Sequence, residues 1–560
     1  MPNWVWGAVA GVGGLSLGYG LWVAYRGPTA APRVESASSP GASPPPPSPD
    51  GASAPVSPGT VTLSVDPPAA TEAPATGAPC PGCDVVLVTV CSLRRDHVGA
   101  YGEITGLTPA LDSVASEGYL FSRAYAASNF TLAGLAATLT GRFGSSTGVT
   151  GWDKGLSESV PVLPEILGYY GYETGAFTID APSGFRPDYG LHRGFQRMEV
   201  FQAPRDTPDG RFQPGEIGPG GASAGPVVEW MRSRSGSRPL FAMFHTRTAH
   251  FPFVISDEGA SDDPTGVHQM LWDAGKVQTS SSQAMPGMAG GTAQQGVVEI
   301  IGPDPLQVLV DKLGKPAVEA WREAYADSVA RMDIDLQRVI DTIRASGRWD
   351  RTVLVVLGDH GESLNDHGEL LHGDAYFDGV INVPLAIRVP GMPGKREPIG
   401  ALVSQADVLP TLLEIVGAVS PAEIDGGSML PLMRGEAAAI REIALVEGGV
   451  AKQIGPHPKG AVIALPFTLL RQQRGCGGAP GQDPPRLGGE PATCLYDVTA
   501  DPGQTNNIAR QKPEVVKELL ARWGAFRAAR GENAARTLTL DEAFVKELRQ
   551  TGYDFTQSPR

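Results

Sequence analysis

Three short apolar runs, at residues 84–90 (DVVLVTV), 240–244 and 352–357, constrain the fold most. None of them alternates polar with apolar residues. Each is therefore expected to be a strand buried on both faces, as in a parallel sheet covered by helices. Helical segments with readable ends lie between them. Thr108-Pro109 is expected to open one as N-cap and first-turn proline, and Gly118 to close it. A longer helix is expected from about 318 to 346, with Trp321, Tyr325, Met332, Leu336, Val339 and Ile343 on one stripe and Gly347 after it. Strands alternating with helices predict an α/β fold with a large, mostly parallel sheet sandwiched by helices. From about residue 440 the pattern weakens into short strands and ends in an amphipathic helix near 513–527. This predicts a smaller C-terminal α+β subdomain over 441–560.

The chain of 560 residues is too long for one small domain, and its 41% hydrophobic content suffices for a sizeable core. Its 60 acidic and 45 basic side chains leave a formal net charge of −15. That excludes a general nucleic-acid binder, which needs a basic surface against phosphates.

Residues 4–25 carry no charge and, as a helix, would be about 33 Å long, enough to cross a bilayer. Trp4, Trp6, Trp22 and Tyr25 stand at its ends, where aromatic rings favour the membrane interface. A cleaved signal peptide is the rival reading, but the segment lacks a basic start and a small-residue cleavage site. The expectation is an uncleaved transmembrane anchor with an extracytoplasmic body. Residues 27–82, rich in Pro, Ala and Ser and holding more than a quarter of the 50 prolines, read as a semi-extended spacer. A catalytic domain is expected over 83–440, interrupted by a surface insertion at 258–300.

Open parallel sheets bind ligands beyond the carboxyl ends of their strands. Here those ends deliver Cys91-Ser92-Leu93-Arg94, Asp359-His360-Gly361-Glu362 and His245-Thr246-Arg247-Thr248-Ala249-His250. These are residue types that bind metals and anions.

The stretch DVVLVTVCSLRRDHVGAYG (84–102) resembles the opening strand of the sulfatase family in the alkaline phosphatase superfamily. The resemblance continues through TPALDSVASEGYLFSRAYA (108–126), ATLTGR (137–142), GDHGE (358–362), VPLAIRVPG (383–391), SQADVLPTLLEIVG (404–417) and CLYDVTADPGQTNNIA (494–509). The blocks keep the family's order over nearly all of 84–550. The resemblance implies one divalent metal facing a nucleophile at a helix start. It puts Asp359 and His360 among the metal ligands, Thr131 at the nucleophile, His250 against the ester's anionic oxygens, and His372 where a leaving group is protonated. A helix N-terminus at Thr131 would favour an anionic ester; the plainer reading is a capping threonine.

Two departures follow. Thr131 stands where sulfatases carry the Cys or Ser that becomes formylglycine, and a threonine cannot be oxidised to an aldehyde because its Cβ bears a methyl group. Ala133 and Leu135 replace the usual Pro and Arg. A threonine nucleophile resembles the superfamily's phospho-headgroup transferases and phosphodiesterases, so phosphate esters join sulfate esters as candidates. Second, Cys91 falls on the family's first acidic metal ligand. A thiolate suits Ca²⁺, Mg²⁺ or Mn²⁺ poorly but suits zinc, for which Cys91, Asp359, His360 and Thr131 form a tetrahedral set. The alternative is that Cys91 breaks the site and leaves a catalytically inactive binding domain.

The substrate is expected to be a small-molecule, glycan or lipid-headgroup ester. The sequence leaves the oligomeric state open. Of the five cysteines, Cys476 and Cys494 are expected to pair in an oxidising compartment. Cys80 and Cys83 pair with each other or elsewhere, or bind metal, and Cys91 is left over. Asn129-Phe130-Thr131 is formally a glycosylation sequon but reads as coincidence at the active-site turn.

Overall fold

The computed structural model describes residues 63–64, 77–179, 184–201, 224–234, 236–250, 314–372, 375–448, 459–472, 475–476, 491–530 and 535–538. The expected anchor at 4–25, most of the spacer and the insertion at 258–300 lie outside them. Among the described residues, no helix is long and apolar enough to cross a membrane.

The main sheet has eight strands: β1 (Leu63–Ser64), β2 (Asp84–Val90), β3 (Tyr119–Phe121), β4 (Glu173–Ile179), β5 (Arg197–Phe201), β6 (Leu240–Thr246), β7 (Thr352–Gly358) and β8 (Leu385–Arg388). Their order across the sheet is β1-β5-β4-β6-β2-β7-β8-β3. The five central strands, β5, β4, β6, β2 and β7, run parallel. Strands β1, β8 and β3 add antiparallel edges. The three apolar runs thus lie side by side in β2, β6 and β7, all seven residues of each strand buried. Two residues of the expected spacer, Leu63 and Ser64, form the edge strand β1 by pairing with Met198 and Arg197.

Alternate side chains of β2 feed two cores. Val85 and Leu87 pack with helices α2 (Thr131–Thr140) and α5 (Val408–Val416). Val86, Val88 and Val90 pack with α1 (Pro109–Glu117), α3 (Gly225–Ser233) and α4 (Lys315–Ala345). Each such Val or Leu contributes roughly 1.5–3 kcal/mol by leaving water. The predicted stripe of α4 is buried throughout. Helix α1 begins at Pro109 as expected, but Thr108 makes no side-chain cap. Its hydroxyl instead accepts from Gly99 N and donates to Asp112 Oδ1. The free amides of Ala110 and Leu111 go to Asp333 of α4, at 2.8 and 2.9 Å. A carboxylate from another helix has displaced the local cap.

A second, antiparallel sheet holds β9 (Ala444–Glu447), β10 (Gly460–Ala464), β11 (Phe467–Gln472) and β12 (Ala492–Asp497). Helix α6 (Pro513–Arg530) covers one face with Leu519 and Trp523. Cys476 and Cys494 are disulfide-bonded, and so are Cys80 and Cys83; Cys91 is free and buried.

Candidate active site

Strand register builds the site. Val90 pairs with Thr246 on one side and with Gly358 on the other, so the carboxyl ends of β6, β2 and β7 are level. The ladder then runs one residue further on each side. Cys91 N donates to Thr246 O at 2.8 Å, and Asp359 N donates to Val90 O at 3.0 Å. Cys91 and Asp359 are thereby fixed as neighbours at the end of the sheet.

Ser92 then turns the chain with φ +62°, a left-handed conformation that costs a non-glycine residue free energy. The turn aims its N–H at Asp359 Oδ1, 3.1 Å away, which also accepts from His360 N. Tyr325 of α4 holds this turn, its hydroxyl donating to Ser92 O and accepting from Arg94 N. Asp359 Oδ2 is buried and accepts no hydrogen bond.

Helix α2 brings Thr131 to the same point. Its preceding residue, Phe130, is the N-cap and supplies no side-chain cap bond, so Thr131 is the first helical residue rather than a cap. Its Oγ1 lies 3.3 Å from Cys91 Sγ and 3.4 Å from His360 Nε2. Helix α2 comes this close because Gly134 carries no side chain: a Cβ there would stand 3.0 Å from Asp359 O. Gln405 locks the contact, donating to Gly358 O and Asp359 O and accepting from Ala127 N.

Three histidines close the site. His360 donates Nδ1–H to Gly361 O at 2.8 Å, leaving the Nε2 lone pair 3.8 Å from Cys91 Sγ. The ring of His372 lies over that of His360, centroids 4.1 Å apart, and the ring of His250 is 5.1 Å from that of His372. Burial pushes His360 down to about 4 and His372 down to about 3, so both are neutral near pH 7. Burial first, then the Asp359 charge, raises the Cys91 thiol well above its usual value, with Arg247 opposing. Asn129 is fully buried and donates to His372 O and Ala375 O, so the sequon is a structural asparagine.

All six residues expected from the sequence, Cys91, Thr131, His250, Asp359, His360 and His372, meet at this one place. Three further groups were missed as site residues. His245 is the sixth residue of β6, not a loop residue, and one ring nitrogen, Cys91 Sγ and an Asp359 oxygen lie within 4.8 Å of one another. Arg247 donates to the His250 ring at 3.2 Å. Glu362 Oε1 contacts His372 Nδ1. The even length of three neighbouring strands would have put His245 inside β6. Its polarity ended the apolar run too early. The donors Cys91, Asp359 and His360 fit a divalent metal, since two of their ligand atoms, Asp359 Oδ2 and His360 Nε2, are otherwise unused or turned to the centre.

Comparison with known proteins agrees with this geometry. The sequence pattern of the sulfatase family matches residues 84–418, more than half of the chain. A Δ4,5-hexuronate-2-O-sulfatase of Bacteroides thetaiotaomicron is 24% identical over 441 residues, covering 76% of this chain and 84% of that protein. Among solved structures, a 2-O glycosaminoglycan sulfatase superposes with a TM-score of 0.60 at 18% identity, covering 86% of this chain and 98% of that one. A phosphonate monoester hydrolase of Agrobacterium radiobacter superposes with a TM-score of 0.57 at 20% identity, covering 82% and 98%. These structures show the alkaline-phosphatase-like α/β fold. Family match, fold and site together establish that the chain belongs to the sulfatase family of hydrolases.

Proposed function

We propose that the protein is a metal-dependent hydrolase of anionic phosphate esters that uses Thr131 as its nucleophile. The contact of Thr131 Oγ1 with Cys91 Sγ and His360 Nε2, at the first position of α2, carries this reading. A mere capping threonine would turn its oxygen to the helix amides instead.

A bound divalent metal, held by Cys91, Asp359 and His360, would lower the pKa of the Thr131 hydroxyl and add positive charge beside the ester oxygens. With that metal bound, the Thr131 hydroxyl would give its proton to water. Thr131 Oγ1 then attacks phosphorus; its new O–P bond forms as the bond to the leaving oxygen breaks. His372 Nε2–H gives that oxygen its proton while the Glu362 carboxyl passes its own to Nδ1. Arg247 and His250 hold the non-bridging oxygens, with the amides at the start of α2 adding partial positive charge. Water attacks the resulting phosphothreonine, giving its proton to His372 and restoring Thr131.

The residues fit a soft or borderline metal. Cys91 points to zinc before Ca²⁺, Mg²⁺ or Mn²⁺. The substrate class is a small-molecule, glycan or lipid-headgroup ester. The body sits outside the cytoplasm on the anchor at 4–25, a placement supported by its two disulfides. A second reading, a sulfate-ester hydrolase, is favoured by the hexuronate sulfatase relative.

The test assays nitrophenyl sulfate, nitrophenyl phosphate and a bis-nitrophenyl phosphate diester side by side on wild type and Thr131→Ala. Phosphate or diester turnover that disappears in Thr131→Ala, with phosphothreonine trapped by acid quench, is expected. Turnover of the sulfate alone favours the second reading. Unchanged turnover in Thr131→Ala removes Thr131 from the mechanism, and no turnover of any ester leaves the binding-domain alternative.

A further inference from the structure

We infer that His245 is a ligand of the metal, and that the donor set Cys91, His245, Asp359 and His360 selects zinc over calcium and magnesium. The inference deepens the metal-dependent reading above and rests on it. It revises the expected ligand set, in which Thr131 was the fourth member and His245 had no part.

His245 and Asp359 are fully buried. His245 Nδ1 is engaged by Thr89 Oγ1 at 2.9 Å, across the β2–β6 pair that puts the two residues opposite each other. The other nitrogen, Nε2, is buried with no hydrogen-bond partner, and so is Asp359 Oδ2. A buried polar atom left unsatisfied is costly, so two of them in one cluster call for a common explanation. The ligand atoms of Cys91, His245 and Asp359 all lie within 4.8 Å of one another.

His360 Nε2 stands 3.8 Å from Cys91 Sγ and 3.7 Å from Asp359 Oδ1. Zinc bonds of roughly 2.0–2.3 Å at tetrahedral angles put ligand atoms about 3.3–3.6 Å apart; the two His360 distances are near this, and closing the set on one ion takes an inward shift of the His245 ring. A packed core histidine with no ligand role would be expected to satisfy both nitrogens or to leave the cluster.

The Thr89 contact also matches a ligand's needs. A metal-bound histidine gives its second N–H to an acceptor, which fixes tautomer and ring angle. Ligation through Nε2 would leave the ring hydrogen on Nδ1, where Thr89 Oγ1 stands 2.9 Å away to accept it. One thiolate, two imidazoles and one carboxylate suit zinc; calcium and magnesium require mostly hard oxygen. With four protein donors supplied, Thr131 meets the ion from the substrate side.

Cobalt(II) titration of the metal-stripped full chain, followed by absorption spectroscopy, reads the set without any substrate. A thiolate-to-cobalt charge-transfer band should appear in wild type and be lost in Cys91→Ser. His245→Ala should weaken cobalt and zinc binding by about 100-fold or more, and Thr89→Val by about 10-fold. If His245→Ala does not fold, zinc X-ray absorption on the wild type decides, with one sulfur and two imidazoles expected. One imidazole, unchanged affinity in His245→Ala, or tighter calcium than zinc binding overturns the inference. Zinc binding through His245 without turnover of any ester would sink the hydrolase reading alone; calcium-supported turnover without zinc affinity would sink this one alone.

Discussion

Glu362 Oε1 lies 2.9 Å from His372 Nδ1, with both side chains buried. Burial pushes the Glu362 carboxyl up to about 8 and His372 down to about 3. At pH 7 the carboxyl is therefore mostly protonated and donates to Nδ1, which places the imidazole hydrogen on Nε2. That is the atom a leaving oxygen needs. Arg94 Nη1 donates to Glu362 O at 2.8 Å and fixes the backbone that carries the pair. Glu362→Gln can still donate an N–H to Nδ1 but cannot pass a proton when Nε2 gives one up. The expected result is a 10- to 100-fold fall in kcat with KM nearly unchanged, measured on the substrate found in the ester screen. Equal kcat in the variant would remove Glu362 from proton supply.

Arg247 brings a guanidinium into a site where Leu135 stands in place of the family's usual Arg. Its Nη2 lies 3.2 and 3.4 Å from Nδ1 and Nε2 of His250, only one of which can accept. Its charge also lowers the pKa of Cys91, His245 and His372, so it is felt across the whole site. Arg247→Met keeps the length of the stem and removes the charge. About 100-fold lower kcat/KM is expected, with a larger loss for a doubly charged monoester than for a singly charged diester. Equal losses for the two esters would mean that Arg247 only positions His250.

The main sheet was legible because burial on both faces writes itself as unbroken apolar runs, and 84–90 and 352–357 need no partner information. Cys91, Asp359, His360 and His250 were legible because they follow strand ends, whereas Thr131 and His372 were placed by the resemblance to the sulfatase family. Register is not local. That His245 stands opposite Thr89, with one nitrogen left over, follows only from the pairing of β2 with β6. Arg247 and Glu362 were on the page as loop residues, but only tertiary packing turns them toward His250 and His372. Thr108 failed as a cap for the same reason, since the Asp333 carboxylate arrives from a helix more than 200 residues away in sequence.

The Cys476–Cys494 disulfide closes a separation of 18 residues between the stretch just after β11 and β12 itself. Both cysteines are fully buried beside Tyr496, whose hydroxyl donates to Cys476 O. The chain-entropy cost of opening a loop of this length is about 3 kcal/mol. The double variant Cys476→Ala/Cys494→Ala should therefore lose about that much in denaturant unfolding, and wild type expressed in a thiol-reducing cytoplasm should label with five thiol equivalents after denaturation, against one, Cys91, when both disulfides are formed. An unchanged unfolding midpoint would show that the second sheet holds without the link.

Asp333 accepts from Ala110 N and Leu111 N, yet burial pushes its carboxyl up to about 6 against an ordinary 3.8. A group whose folded pKa is raised holds a proton that the unfolded chain has already released between those two values. Its contribution to stability is therefore largest below pH 3.8 and is lost as pH rises to about 6. The size of that loss is about 2–3 kcal/mol for a shift of this extent. Asp333→Asn removes the titration and keeps one oxygen acceptor for the start of α1. Measured by urea unfolding at pH 4.5, 5.5 and 7, the stability of wild type minus that of Asp333→Asn should fall steadily with pH and flatten above about pH 7. A difference that rises with pH would mean that the two helix amides outweigh burial and hold the carboxylate charged.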